Sequence, residues 1–102
     1  MNYAAAQDDV ARKVDELRGV IDAIDDEIIA ALIRRFHVSR EIQATRMAAG
    51  LPRIQHAREH RVIQRYADAL GPIGTELALE VLSLSRGNPT RLGLDAVALR
   101  PR

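Results

Sequence analysis

Between Asp8 and Ala49 the chain holds no proline and a single glycine, Gly19. Apolar side chains fall at Val10, Val14, Leu17, Ile21, Ile24, Ile28, Leu32, Val38 and Ile42. Steps of three and four dominate, the repeat of a helix with one apolar face. The pattern predicts one helix over about residues 8–49, close to 60 Å long at about 1.5 Å per residue. A compact domain of this size has a radius of gyration of only about 13 Å. One chain cannot cover such a rod along its length, whereas a second copy lying antiparallel can. The pattern therefore predicts a homodimer.

Gly50-Leu51-Pro52 breaks the run, because glycine suits a helix C-cap and proline cannot continue the ladder. A second helix is expected over about 55–70, with Ala57, Val62, Ile63, Tyr66 and Leu70 as its inner face. Gly71-Pro72 ends it. A third is expected over about 74–86, through Leu77, Leu79, Val81, Leu82 and Leu84, until Gly87-Asn88-Pro89 stops it. The tail, 87–102, carries Leu92, Leu94, Val97 and Leu99. No strand-like alternation or internal repeat occurs, so the expected fold is all-α, a single helical domain over 1–102.

Composition narrows the functions. The 15 basic and 14 acidic side chains nearly balance, and only Tyr3, Phe36 and Tyr66 are aromatic, which argues against a nucleic-acid binder. Cysteine is absent, removing disulfides, zinc–cysteine sites and thiol nucleophiles. His56 and His60 stand at i, i+4, but no further ligand type is near and HExxH is missing, so no metal site is expected. Ser39, Ser83 and Ser85 lack a GxSxG context. No apolar run reaches the roughly 20 residues that span a bilayer. The first dozen residues, with Asp8 and Asp9, do not read as a signal peptide. A cytoplasmic location is the expectation.

The apolar stripe of the first helix carries an exception at its C-terminal end. Arg35 and Arg46 stand 11 residues apart, which returns to about the same helix face. Cations on a burying face are costly unless an anion meets them. Arg58-Glu59 opens the second helix one turn after Gln55, a combination suited to an anion together with a hydroxyl or amine. Arg18 lies about 25 Å from Arg35 along the same helix, so only an antiparallel partner would bring it to the same place. Singly, each arginine is as readily a snorkelling surface residue, and Glu59 a first-turn charge that favours the helix dipole.

Taken in order, these residues resemble the AroQ-type chorismate mutases, and among them the short actinobacterial, mycobacterial-like branch. The likeness runs from Val14 to about Gly93. It opens on Leu17-Arg18-Gly19-Val20-Ile21-Asp22-Ala23-Ile24-Asp25, similar to the family's LRxxIDxID. It continues through Arg34-Arg35, Glu41-Ile42, Ala44-Thr45-Arg46-Met47 and Arg53-Ile54-Gln55-His56-Ala57-Arg58-Glu59. Gly71-Pro72, Leu77-Ala78, Arg86-Gly87 and Arg91-Leu92-Gly93 resemble the branch's closing segments.

The resemblance implies an intertwined antiparallel dimer of three-helix chains and the Claisen rearrangement of chorismate to prephenate, in phenylalanine and tyrosine biosynthesis. That step needs no nucleophile, metal or cofactor. It needs rigid cationic donors that select a compact conformer of a dianion and stabilise charge on the breaking ether oxygen. By position, Arg18 of the partner chain, Arg35 and Arg58 would hold the carboxylates, Arg46 the ether oxygen, and Glu59 the C4 hydroxyl. Gln55 and Ser85 would complete the substrate contacts. Pro89 stands where many relatives carry a glutamine that reaches the ether oxygen, and proline has no such donor. The branch is weak alone and is activated by DAHP synthase, so a complex with that enzyme is an implied partner. Leu94, Val97 and Leu99, beyond the branch's usual end, favour a tail that folds back over the site.

Two alternatives on the same fold are a 4-amino-4-deoxychorismate mutase, since Glu59 would pair with a C4 ammonium even better than with a hydroxyl, and an isochorismate pyruvate-lyase. A non-catalytic helical interaction module would explain the long helix but not the convergence of Arg35, Arg46 and Arg58-Glu59.

Overall fold

Three successive alanines, Ala4 to Ala6, start the first helix earlier than the apolar repeat suggests. The computed structural model describes residues 3–52 and 54–86. In it α1 runs over Tyr3–Ala48, 46 residues without interruption. Alanine is the best helix former, and Gln7 Nε2 donates to the Tyr3 hydroxyl one turn back at 2.9 Å, so the expected start near Asp8 moves to Tyr3. The other end closes as the glycine predicts. Gly50 adopts φ 75°, a left-handed conformation. Its N–H meets the Met47 carbonyl at 3.0 Å, and the Leu51 N–H reaches the Arg46 carbonyl at 2.9 Å. This pair of bonds is a Schellman motif, which satisfies carbonyls the helix end leaves open.

The chain divides into two units, Met1–Ala31 and Leu32–Arg102. The first unit is the N-terminal stretch of α1. Its apolar stripe is open within the single chain: Val10 is 62% exposed, Ile21 55% and Ile28 51%. No residue of α1 is buried.

The second unit holds the C-terminal part of α1 with α2, His56–Leu70, and α3, Pro72–Ser85. α3 begins at Pro72 rather than near Gly74, because proline's fixed φ and missing N–H suit the first helical turn. Gly71 joins the two helices, and Gly74 lets them close up. A Cβ on Gly74 would stand 2.1 Å from the Tyr66 carbonyl oxygen and 2.6 Å from its carbon. The core consists of Val62 from α2 with Ala78, Val81, Leu82 and Leu84 from α3.

Only part of the apolar run through α3 faces inward. Gly74, Ala78, Val81, Leu82 and Ser85 are buried and recur at helical spacing, while Leu77 and Leu79 are 46% and 44% exposed. Leu77 and Leu79 sit about 200° apart around the helix, so no single face takes both. Ala57 and Leu70 of α2, expected inside, are exposed as well. Every described element is helical, as expected for an all-α chain. No described helix is long and apolar enough to cross a membrane. The tail 87–102, with Pro89 and Arg91-Leu92-Gly93, and Arg53 lie outside the described residues.

Candidate functional site

The end of α3 gathers polar side chains from α1. Ser85 is buried, and its hydroxyl donates to the Val81 carbonyl at 2.9 Å while accepting a hydrogen bond from Arg35 Nη1. The Ser85 carbonyl accepts from Gln43 Nε2 at 3.0 Å and, at the long limit of 3.5 Å, from the Ser39 hydroxyl. Arg35, Ser39 and Gln43 are spaced four apart, so they form one row along α1. The row answers the unpaired carbonyls and negative end of α3 with two neutral donors and a cation. Arg35, Ser39 and Gln43 are half-buried.

Arg46, also half-buried, reaches over the α1–α2 turn. Its Nε donates to the Pro52 carbonyl at 3.0 Å. With the Gln55 amide turned so that its oxygen faces the guanidinium, Arg46 Nη1 and Nη2 stand 2.9 and 3.2 Å from that oxygen. The hydrogen-bond network selects that orientation, since the opposite one would set donors against donors. Pro52 and Gln55 thus grip the guanidinium from two sides.

Glu59, in the first turn of α2, is clasped by Arg86, the C-cap residue of α3. Arg86 Nε donates to Oε2 at 3.0 Å, and Arg86 Nη2 donates to Oε1. The pair is bidentate, the strongest geometry for a guanidinium on a carboxylate. The Glu59 side chain is 18% exposed and that of Arg86 38%. Ser85 and Arg86 adjoin in sequence, so the end of α3 links the Arg35 cluster to Glu59.

Of the residues expected from the sequence, the second unit therefore brings Arg35 to Ser85 and Arg46 to Gln55, and sets Glu59 against Arg86. Arg58 is exposed on α2. Arg18 belongs to the first unit and is exposed. Sequence reasoning missed Gln43, Ser39 and Arg86 as members of this cluster. The first two were findable, because Arg35, Ser39 and Gln43 make an i, i+4, i+8 polar row inside an apolar helix face. Arg86 offered no local sign, since its partner lies 27 residues away.

The arrangement holds three guanidinium groups by neutral or anionic oxygens in one unit, a surface suited to a small polyanion carrying a hydroxyl. Comparison with known proteins gives the family. The model of chorismate mutase type II matches residues 17–86. The intracellular chorismate mutase of Mycolicibacterium smegmatis is 51% identical over 85 residues, covering 83% of this chain and 79% of the relative. That of Mycobacterium tuberculosis is 44% identical over 93 residues, covering 91% and 85%. Among solved structures, a chain of the non-covalent complex of DAHP synthase and chorismate mutase from Corynebacterium glutamicum, with bound transition-state analogue, superposes with a TM-score of 0.74. It shares 33% identity and covers 76% of this chain and 94% of its own. A match over both the polar row of α1 and the end of α3 leaves one assignment: the chain belongs to the type II chorismate mutases.

Proposed function

We propose that this chain rearranges chorismate to prephenate in a pocket built on the row Arg35, Ser39, Gln43 and Arg46 of α1, the start of α2 and the end of α3. The observation that carries this reading is the anchoring of the two α1 arginines. Arg35 is tied through Nη1 to Ser85, and Arg46 through Nε to Pro52. A guanidinium has five N–H donors, so each anchored group keeps donors for substrate while its plane is fixed. In the rearrangement the ether C–O bond breaks as a C–C bond forms, and no proton moves. Negative charge grows on the ether oxygen, where Arg46 donates. Arg35 and Arg58 hold carboxylates, Glu59 accepts from the C4 hydroxyl, and Ser85 and Gln55 act by fixing Arg35 and Arg46.

A second copy completes the site. The open stripe of Val10, Leu17, Ile21, Ile24 and Ile28 in the first unit supports an antiparallel homodimer, in which Arg18 of the other chain meets a carboxylate. At about 25 cal/mol per Å², covering that stripe is a strong drive to associate. A DAHP synthase is the further partner, by likeness to the Corynebacterium glutamicum complex. The relatives named intracellular support a cytoplasmic enzyme.

The test is turnover of chorismate by the purified chain, with prephenate identified as product. Isochorismate and 4-amino-4-deoxychorismate run beside it. Release of pyruvate from isochorismate without chorismate turnover would replace the mutase reading by a lyase.

A further inference from the structure

The pairing of Glu59 with Arg86 bears on which substrate the site accepts. Both carboxylate oxygens of Glu59 are engaged by one guanidinium, Oε2 by Nε at 3.0 Å and Oε1 by Nη2. The Glu59 carboxylate is largely withdrawn from solvent, while the Arg86 side chain is partly exposed. The clasp joins the first turn of α2 to the C-cap of α3, so it is held by the fold and does not depend on a mobile surface contact.

A carboxylate presents about four acceptor sites. The clasp uses one on each oxygen and leaves one on each for a further donor. What it changes is the charge that donor meets. Without Arg86, Glu59 offers a net negative charge, which attracts an ammonium more than a hydroxyl. With Arg86 in place the pair is neutral, and any group bonded to Glu59 also lies close to a guanidinium. A hydroxyl donates to the remaining lone pairs at no electrostatic cost. An ammonium of the same size and shape meets a like charge at close range, where partial burial leaves screening incomplete. Specificity of this kind comes from a built-in repulsion as much as from an attraction.

We infer that Arg86 is a specificity-determining residue, which by clasping Glu59 sets the site for a dianion with a neutral hydroxyl at C4 and against one with an ammonium there. The inference rests on the proposed role of Glu59 at the C4 substituent. It gives Arg86 a task that the stability of the α2–α3 junction alone would not require.

The experiment measures kcat/KM for chorismate and for 4-amino-4-deoxychorismate with the wild-type chain, Arg86→Gln and Arg86→Lys. Calorimetric titration measures binding of each substrate by the same three proteins. The two substrates differ only at C4, so general damage to folding or packing affects both alike and cancels in their ratio. Wild type is expected to favour chorismate. Arg86→Gln should shift the ratio towards the amino substrate by about tenfold, the scale of relieving one close like-charge juxtaposition at a partly solvated site. Arg86→Lys should stay within a few-fold of wild type, because the cation remains beside Glu59.

An unchanged ratio in Arg86→Gln overturns the inference. It is also the result expected if Arg86 leaves Glu59 and binds a substrate carboxylate, since both substrates would then suffer equally. A wild-type preference for the amino substrate overturns it too. Binding without turnover of either substrate removes the mutase reading, yet the binding ratio still judges the role of Arg86. Binding of neither removes both.

Discussion

Gly74→Ala tests whether the contact between α2 and α3 sets the geometry of the site. The added methyl would stand 2.1 Å from the Tyr66 carbonyl oxygen, 2.6 Å from the carbonyl carbon and 3.0 Å from the Ala67 nitrogen. Every one of these atoms is backbone, so no side chain can turn aside. The nearest gap has to open to the roughly 3.4 Å of ordinary contact, which means moving the start of α3 away from α2. Overpacking of a tight contact costs about 1–3 kcal/mol and occasionally more. Against it stands about 1 kcal/mol gained from alanine's better helix propensity. A clash against two backbone groups belongs at the upper end, so the net loss is about 2 kcal/mol.

For a chain of this size, 1 kcal/mol moves Tm by about 4–8 °C, and a fall of about 8–16 °C is expected. Thermal unfolding followed by circular dichroism measures it, at one fixed protein concentration because the Tm of any self-associating chain depends on concentration. The same shift displaces Ser85 and Arg86 from Arg35 and Glu59, so kcat/KM should fall at temperatures where the variant is still folded. A Tm equal to or above wild type would refute the close approach of the two helices. Loss of Tm with unchanged turnover would separate that contact from the site.

Three further outcomes are expected. Arg46→Ala should lower kcat/KM by about 10² or more, the usual loss of one preorganised transition-state donor. Arg46→Lys should keep much of the activity, and near-normal turnover in Arg46→Ala would mean that the ether oxygen is held elsewhere. Arg18→Ala and Arg35→Ala should each be nearly inactive, while mixing them under subunit exchange should restore activity in sites that carry neither lesion. Heterodimers that form without recovery would place Arg18 outside the site of the other chain. Light scattering should give a dimer at micromolar concentration, with dilution causing unfolding together with dissociation. A folded monomer would sink the antiparallel arrangement.

The course of α1 was legible because its information is periodic and local. Val10 to Ile42 repeat at helical steps over many turns, and Gly50 ends the run at a position only a left-handed residue fills easily. The inner face of α3 was not legible, because Leu77, Leu79, Val81, Leu82 and Leu84 ring the helix and hydrophobicity alone does not choose among them. Gly74 decides it. The residue without a side chain marks the line of closest approach, and Ala78, Val81, Leu82 and Ser85 follow from it at helical spacing. In the candidate site the residue types were readable but their partners were not. Arg35 and Ser85 are 50 residues apart and Glu59 and Arg86 are 27 apart, and no local pattern encodes such pairings. The turn-spanning contact of Arg46 with Pro52 is local, but it depends on where the Schellman turn aims the chain.

The tie points lie at the helix ends and in the turn between α1 and α2. Pro52 offers its carbonyl in the turn after α1, Ser85 offers its carbonyl at the last turn of α3, and Glu59 stands in the first turn of α2. Helix ends leave backbone groups unpaired, and Gln43 meets a carbonyl of that kind on Ser85, whereas Arg46 meets the Pro52 carbonyl in the turn between α1 and α2. A rearrangement that uses no nucleophile or cofactor depends on holding cations still while charge develops beside them. Long arginine side chains lose much rotamer freedom when fixed, and these acceptors offset that loss before substrate arrives. Ser85 is the clearest case: one residue takes Arg35 on its hydroxyl and Gln43 on its carbonyl, and hands the chain on to Arg86. Losing its hydroxyl would therefore release Arg35 while leaving the Gln43 contact intact, which separates the anchoring of the cation from the capping of the helix.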